Sequence, residues 1–456
     1  MISFKGYDQL ISRVHEFGQD HVFENWEACS ETERKALMED LSSVDFESIG
    51  RLFSSAGAAE SSSADFVPAP FVPVSASDGS LASVKASGEN YIRSGKCAAF
   101  VVAGGQGSRL GFDGPKGAFE VSAVKSKSLF RIHAEKIAAY GKKYGVRIPF
   151  LVMTSDMNYG QTLEHFEQNG WFGLDRSGVF LFKQNMIPSL DTNGKLIMAS
   201  RCSIFKNPDG HGGSLTALAT SGVLAEMKKI GIETISYFQV DNPLVPIIDP
   251  VFIGRYLAAK AQVSSKIVRK AGPDEKVGVF VRYANGRDGV VEYSDLSRDR
   301  IEMRDSGGSL CYTAANIAIH LFDLSFIERL TEGKDISLPY HVAKKKIKRY
   351  SAGAVSEIDG YKFEKFVFDA IPAAERSLVV EVVREEEFAP VKNASGTDSL
   401  ETSRDLMNRL FRKWLTSRGV IIPSEVKTIE ISPLTALGPE DIDSSLKIPS
   451  EEKVYL

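Results

Sequence analysis

Two cations stand inside a glycine-rich run that follows an apolar one. In AAFVVAGGQGSRLGFDGPKG (98–117), Arg109 and Lys116 are set among Gly104, Gly105, Gly107, Gly111, Gly114 and Gly117. Glycine has no Cβ, so backbone N–H groups there can come close to an anion, and such a loop leaving a strand is suited to cradling phosphate. Two familiar phosphate loops fail on spacing. GxxxxGK[ST] requires Ser or Thr after the lysine, but Lys116 lies between Pro115 and Gly117; GxGxxG finds Gly105 and Gly107, then Leu110 where its third glycine belongs. Pro115 has a fixed φ and pushes Gly114 toward an extended conformation, so Lys116 leaves the chain in a set direction. Arg109 and Lys116 can then converge on one polyphosphate.

Asp241 ends the run ISYFQVD before Asn-Pro, at the expected carboxyl end of a strand. A lone carboxylate there suits Mg²⁺, which keeps most of its waters and takes one or two carboxylates plus phosphate oxygens; the alternative is an Asx-type turn. NPDGHGGSLTALAT (207–220) is a second glycine loop opening a helix, with Ser214 as the expected N-cap. Its amides, Gly212 among them, can bind a base edge or an anion, or simply start a capped helix. Gln184, closing FLFKQ, offers both a donor and an acceptor to a ligand, or is simply an exposed glutamine after a strand. Glu292 can accept from hydroxyls, and Asn316 can both donate and accept. Phe366 and Phe368 in EKFVFD are expected on one strand face, where they wall the apolar part of a ligand or pack a core. Lys392, in APVKNA, carries a flexible ammonium able to reach a phosphate. AKKKIKR (343–349) has no interleaved aromatics and reads as a solvated face or interdomain contact.

These residues need a scaffold, and the texture of the chain describes one. CAAFVVAG, IPFLVMTS, VFLFKQ, ETISYFQVD and KVGVFVRY alternate with helix-like segments such as SLFRIHAEKIAAYGKKYG. The pattern predicts an α/β fold: a Rossmann-like wound mixed sheet flanked by helices, with ligands at the strands' carboxyl ends. Residues 1–90 are expected to form an N-terminal helical section, capped at Ser30 and Glu33, followed by a Ser/Ala/Pro linker from about 54. Residues 91–390 form the catalytic domain and 391–456 a small C-terminal domain. With 55 Lys and Arg against 59 Asp and Glu, the formal charge of -4 gives no general attraction to nucleic acid or an anionic membrane. Nowhere do about 18 apolar residues run together, and no basic segment leads an apolar one at the N-terminus, so a cytoplasmic protein is expected. Cys29, Cys97, Cys202 and Cys311 are scattered without metal-type spacing and are expected to be reduced. The oligomeric state stays open, with a monomer favoured.

AGGQGSRLG…PKG resembles the signature of UDP-sugar pyrophosphorylases, the uridylyltransferases that join UTP to a sugar 1-phosphate, and especially of the eukaryotic-type UDP-N-acetylhexosamine pyrophosphorylases. The likeness continues in order through LVMTS, PDGHGG, VDNPLV, VVEYSDLS, AANIAIH, HVAKKKI, EKFVFD, REEEFAPVKNA and ISPL. It implies a nucleotidyltransferase of the glycosyltransferase-A-like type acting on UTP and a hexosamine 1-phosphate. It further implies that Gln184 and the neighbourhood of Gly212 lie at the uracil and sugar, Glu292 and Asn316 at the sugar and its N-acetyl group, Asp241 at the metal and Lys392 at a phosphate. The sequence departs from the family at two places. His211 stands where the acetylhexosamine enzymes usually carry asparagine and UDP-glucose pyrophosphorylases carry histidine, and Ala315 replaces the commoner glycine. Glucose 1-phosphate, or a broad range of sugar 1-phosphates, therefore remains the alternative substrate, and an inactive UDP-sugar-binding regulatory protein the alternative of another class.

Overall fold

Cys97–Val102, Phe150–Thr154, Val179–Lys183 and Thr234–Gln239 consist mainly of apolar, β-branched and aromatic residues, a composition that suits strands covered on both faces. In the computed structural model, which describes residues 2–56, 65–75, 81–331 and 338–456, these four strands lie side by side and parallel. Ala314–Asp323 pairs antiparallel with Thr234–Gln239, and Val279–Tyr283 and Phe66–Pro68 continue that edge. Val263–Arg269 joins Ala314–Asp323 antiparallel and Ser377–Glu381 parallel, and Asp288–Val291 pairs with Val279–Tyr283, giving a mixed sheet of 10 strands. The winding reverses at Cys97–Val102. From it the sheet extends through Phe150–Thr154 and Val179–Lys183 on one side and through Thr234–Gln239 on the other. Loops leaving strands on either side of such a point diverge, and the crevice between them is where ligands of open α/β sheets bind.

One face of the sheet packs Ala99, Val101, Phe150, Val152 and Phe238 against Ile132 and Ile137 of the helix Leu129–Tyr144 and Ile253 of Pro250–Ala259. Leu129–Tyr144 begins where Ser128 accepts from Arg131 N and stops at Gly145, whose φ of 67° no β-carbon opposes.

The chain divides into two compact units: residues 1–63, 185–213 and 338–367 in one, and 64–184, 214–337 and 368–456 in the other. The first contains the expected N-terminal helices, Asp8–Glu16, Glu31–Ser42 and Phe46–Ala56, with the Ser30/Glu33 capping box formed. Leu37, Met38 and Leu41 pack there with Ile187, Leu190 and Phe363. AKKKIKR lies on the strand His341–Ser351, paired antiparallel with Ala354–Glu364; Ile347 is buried and the three successive lysines are exposed. The second unit holds the 10-stranded sheet and, near the C-terminus, a satellite core of Leu415, Val426, Ile429 and Val454.

Several expectations need correction. The units are discontinuous and cut across the limits at 90 and 390. The supposed linker is structured over much of its length: Phe66–Pro68 is an edge strand, Val72 bridges Val380, and Leu81–Arg93 is a helix with Ile92 buried, while 57–64 and 76–80 lie outside the described residues. Cys29 and Cys202 form a disulfide; Cys97 and Cys311 are free. Ser214 is the second residue of the helix Gly213–Thr220, inside its first turn and not its cap.

Candidate active site

The glycine loop leaves the strand Cys97–Val102 and is folded back on itself. Gly107 N donates to Gly114 O at 2.9 Å, Lys116 N to Gly105 O at 3.0 Å, and Gln106 bridges Pro115. Asn158 holds the loop from outside, donating to Ala103 O at 2.9 Å and Gly105 O at 3.2 Å. This pinning sends Lys116 toward the neighbouring strand end, where its Nζ lies 3.3 Å from Asp241 Oδ2. Asp241 follows Thr234–Gln239, the strand on the far side of the switch. At an effective dielectric near 20, unit charges at that separation attract by about 5 kcal/mol before desolvation is counted, enough to hold the lysine at the crevice. Arg109 is exposed and makes no hydrogen bond or ion pair among the described residues.

Gln184 follows Val179–Lys183, is buried, and lies against Gly104: a Cβ on that glycine would come within 2.8 Å of Gln184 Nε2. The absent side chain is what lets the glutamine amide sit beside the loop. Glu292 and Asn316 meet around Gly278. Asn316 N donates to Gly278 O at 2.9 Å, and a Cβ at Gly278 would reach Glu292 Oε1 at 3.0 Å. Asn316 stands at an irregularity in its strand: Lys266 pairs with Ile319 but Ile267 with Asn316, so Ile317 and Ala318 are extra, and Ala318 has φ 54°. Asn316 Oδ1 accepts from Ala318 N at 3.0 Å and braces the bulge.

Lys392 is not drawn onto Lys116 and Asp241. Its Nζ lies 3.6 Å from Asp398 Oδ2 and 5.4 Å from the Phe388 ring centroid. Its chain nevertheless reaches the site, since Val391 N donates to Asp241 O at 2.9 Å. The Asx-type turn weighed for Asp241 belongs to its neighbour: Asn242 Oδ1 accepts from Leu244 N.

His211, Gly212 and Phe366 belong to the other compact unit. Gly212 N donates to Lys365 O at 2.8 Å, so the amide proposed for a ligand is bonded to the chain. Val367 N donates to His211 Nδ1 at 3.1 Å, which leaves the ring proton on Nε2. Burial, with the His341 charge beside it, pushes His211 down to about 4, so the ring is neutral at pH 7. Phe366 stacks on His211 at 5.2 Å between centroids and lies 4.3 Å from His341. The expected strand face through Phe366 and Phe368 does not exist: the strand ends at Glu364, and Phe368 is buried in the 3₁₀ segment Val367–Ala373. Spacing of two in so short a run cannot distinguish a strand from the end of one.

Three polar side chains in these loops escaped sequence reading: Asn158, Asn242 and Asp209. Asp209 is 3% exposed, its Oδ1 has no hydrogen-bond partner among the described residues, and burial, outweighing the Lys365 charge, pushes its carboxyl up to about 7. Asn242 follows Asp241 directly and signals only a turn; beyond its bond to Leu244 N, its partners Glu387 and Ala389 lie 145 and 147 residues away.

A wound mixed sheet whose switch point presents a cationic glycine loop and a single carboxylate is the frame of a nucleotidyltransferase. Residues 72–445 match the family model described as UTP–glucose-1-phosphate uridylyltransferase. UDP-N-acetylglucosamine diphosphorylase 2 of Arabidopsis thaliana is 34% identical over 96% of this chain and 91% of its own. The crystal structure of the uridine diphosphate N-acetylglucosamine pyrophosphorylase from Trypanosoma brucei, solved with an inhibitor, superposes with a TM-score of 0.84 at 32% identity, covering 97% of this chain and 95% of that one. A putative UDP-N-acetylglucosamine pyrophosphorylase from Entamoeba histolytica gives 0.77 at 31%, covering 86% and 99%. The chain belongs to the UTP–glucose-1-phosphate uridylyltransferase family.

Proposed function

We propose that this protein joins UTP to an N-acetylhexosamine 1-phosphate, N-acetylglucosamine or N-acetylgalactosamine, releasing pyrophosphate. The observation that carries this reading is Lys116, delivered by the glycine loop to within 3.3 Å of Asp241 across the switch point. The names of the full-length relatives, which carry the acetylated sugar, support that choice of substrate.

In the reaction an oxygen of the sugar phosphate attacks the α-phosphorus of UTP in line. One P–O bond forms, the bond to the β-phosphate oxygen breaks, and pyrophosphate departs with its electron pair. The attacking oxygen is already ionised, so no general base is required. Both reactants are anions, and the work of the site is alignment and charge neutralisation. Arg109 and Lys116 hold the departing β- and γ-phosphates, and Lys392 leaves Asp398 to meet the α-phosphate or the sugar phosphate. Gln184 reads the uracil edge, and Glu292 and Asn316 hold the sugar. His211, neutral and hydrogen-bonded through Nδ1, orients the ring of Phe366 by stacking.

Asp241 fits a divalent cation of the magnesium type. It is a carboxylate at a strand end, and among the described residues no cluster of three His, Cys, Asp or Glu offers a fully protein-ligated alternative. Mg²⁺ held by Asp241 and phosphate oxygens would offset triphosphate charge. Asp241 meanwhile keeps Lys116 directed at the crevice, within reach of a phosphate placed there.

Pyrophosphate release from UTP, measured with N-acetylglucosamine, N-acetylgalactosamine and glucose 1-phosphates with and without Mg²⁺, tests the proposal. Preference for an acetylated sugar is expected. Preference for glucose, the reading His211 favours, would replace it, and UDP-sugar binding without pyrophosphate exchange would point to a regulatory protein.

A further inference from the structure

Two stretches of the sheet-bearing unit run together beneath Asp241: residues 241–249, and residues 387–392, which end in Lys392. They are joined at three levels. At the base, Lys266 Nζ, on a strand and 1% exposed, bonds Asp249 Oδ2 at 2.6 Å and Glu387 Oε2 at 2.7 Å. Midway, Asn242 Nδ2 donates to Glu387 O at 2.7 Å while its Oδ1 accepts from Ala389 N at 3.1 Å. At the tip, Val391 N donates to Asp241 O at 2.9 Å. Lys136 braces the outer side, its Nζ donating to Pro243 O at 2.6 Å and Val245 O at 2.8 Å.

Among the described residues, Asn242 is the side chain that bonds the backbones of both stretches, Leu244 N on its own and Glu387 O and Ala389 N on the other, and it is 3% exposed. Glu387 ends the short helix Arg384–Glu387, and residues 388–392 and 241–249 lie in neither helix nor strand, so no ladder joins the two stretches; beside the single Val391 N–Asp241 O bond, the Asn242 amide ties their backbones. We infer that Asn242 is a positioning residue that sets the placement of Lys392 relative to Asp241, so that the two act as one preassembled element. This rests on the proposed function, in which Asp241 and Lys392 serve the same triphosphate. A placement error of about 1 Å in such an element costs on the order of 10²-fold in rate, since the barrier is lowered by alignment.

A double-mutant cycle separates the inference from the reading beneath it. Pyrophosphate release is measured for the wild type, Asn242→Ala, Lys392→Ala and the pair, with thermal unfolding recorded for each. The expected result is a fall in kcat of about 10- to 10²-fold for Asn242→Ala with KM for UTP changed by less than about 3-fold, and a loss below about 3-fold when Lys392 is already alanine. A structural role would instead lower kcat by the same factor in both backgrounds, and that additivity would overturn the inference. Undiminished activity of Lys392→Ala would overturn the proposed role of Lys392 itself. Should Asn242→Ala not yield folded protein, Asn242→Asp takes its place: it keeps the acceptor for Ala389 N and loses the donor to Glu387 O, and the same two outcomes decide.

Discussion

Replacing Asp209 with asparagine removes a buried ionisation while keeping the shape of the side chain. The carboxyl is held at about 7 against an ordinary value of 3.8, chiefly by burial. Below pH 3.8 it is protonated in folded and unfolded chains alike and costs nothing. Between 3.8 and 7 the unfolded chain ionises while the folded one stays protonated, so stability falls as pH rises; above 7 the full cost is present. A displacement of about three on the pH scale, at ~1.36 kcal/mol each, comes to ~4 kcal/mol. Asp209→Asn should therefore gain stability relative to the wild type by ~4 kcal/mol between pH 4 and 7, then run parallel to it. The chain has three tryptophans, and Trp26 is the one in the unit that contains Asp209. Urea unfolding followed by Trp26 fluorescence, with Trp171 and Trp414 changed to phenylalanine in both proteins, reads that unit alone. A stability difference that stays flat within about 1 kcal/mol from pH 4 to 7 would refute the argument.

Other perturbations have equally definite expectations. Lys116→Ala and Arg109→Ala should each lower kcat by about 10²- to 10³-fold in pyrophosphate release, with folded protein retained because neither side chain supports a core; unchanged turnover would remove them from the phosphate site. Gly117→Ala should destabilise by about 1–3 kcal/mol, because a β-carbon there would overlap the wholly buried Phe130 ring; thermal unfolding measures it. Reduction of Cys29–Cys202, which span 173 residues of sequence, should lower the melting temperature, the chain-entropy limit being about 5 kcal/mol, and a Cys29→Ser/Cys202→Ser protein should be indifferent to reductant.

What could be read from the sequence was whatever local punctuation encodes. The glycine loop, Asp241 before Asn-Pro and Gln184 after a β-rich run each sit where a strand ends, and apolar runs reveal strand ends well because both faces of these strands are covered. The Ser30/Glu33 capping box was legible for the same reason, since its two partners are three residues apart. The roles of Asn242 and the Cys29–Cys202 pair depend on partners more than a hundred residues distant, and that of Asp209 on burial beside the distant Lys365, and no spacing rule carries that information. The linker was misjudged because its composition is poor in large apolar residues. Phe66, buried with Tyr283 and Tyr312 at its edges, and the pairing of Phe66–Pro68 with Val281–Tyr283 fasten it as an edge strand.

The two surplus residues beside Asn316 have a bearing on how this scaffold can change. Side chains alternate along a strand, so an insertion of two preserves which ones face inward, whereas an insertion of one would turn the rest of the strand inside out. Excising Ile317 and Ala318 would leave Asn316 opposite Ile267 and Ile319 opposite Lys266, closing the irregularity without changing the register on either side. The pairing of the strand thus tolerates loss of the irregularity, but the core does not, because Ile317 is buried in it and Ala318 N carries the brace that fixes the Asn316 side chain.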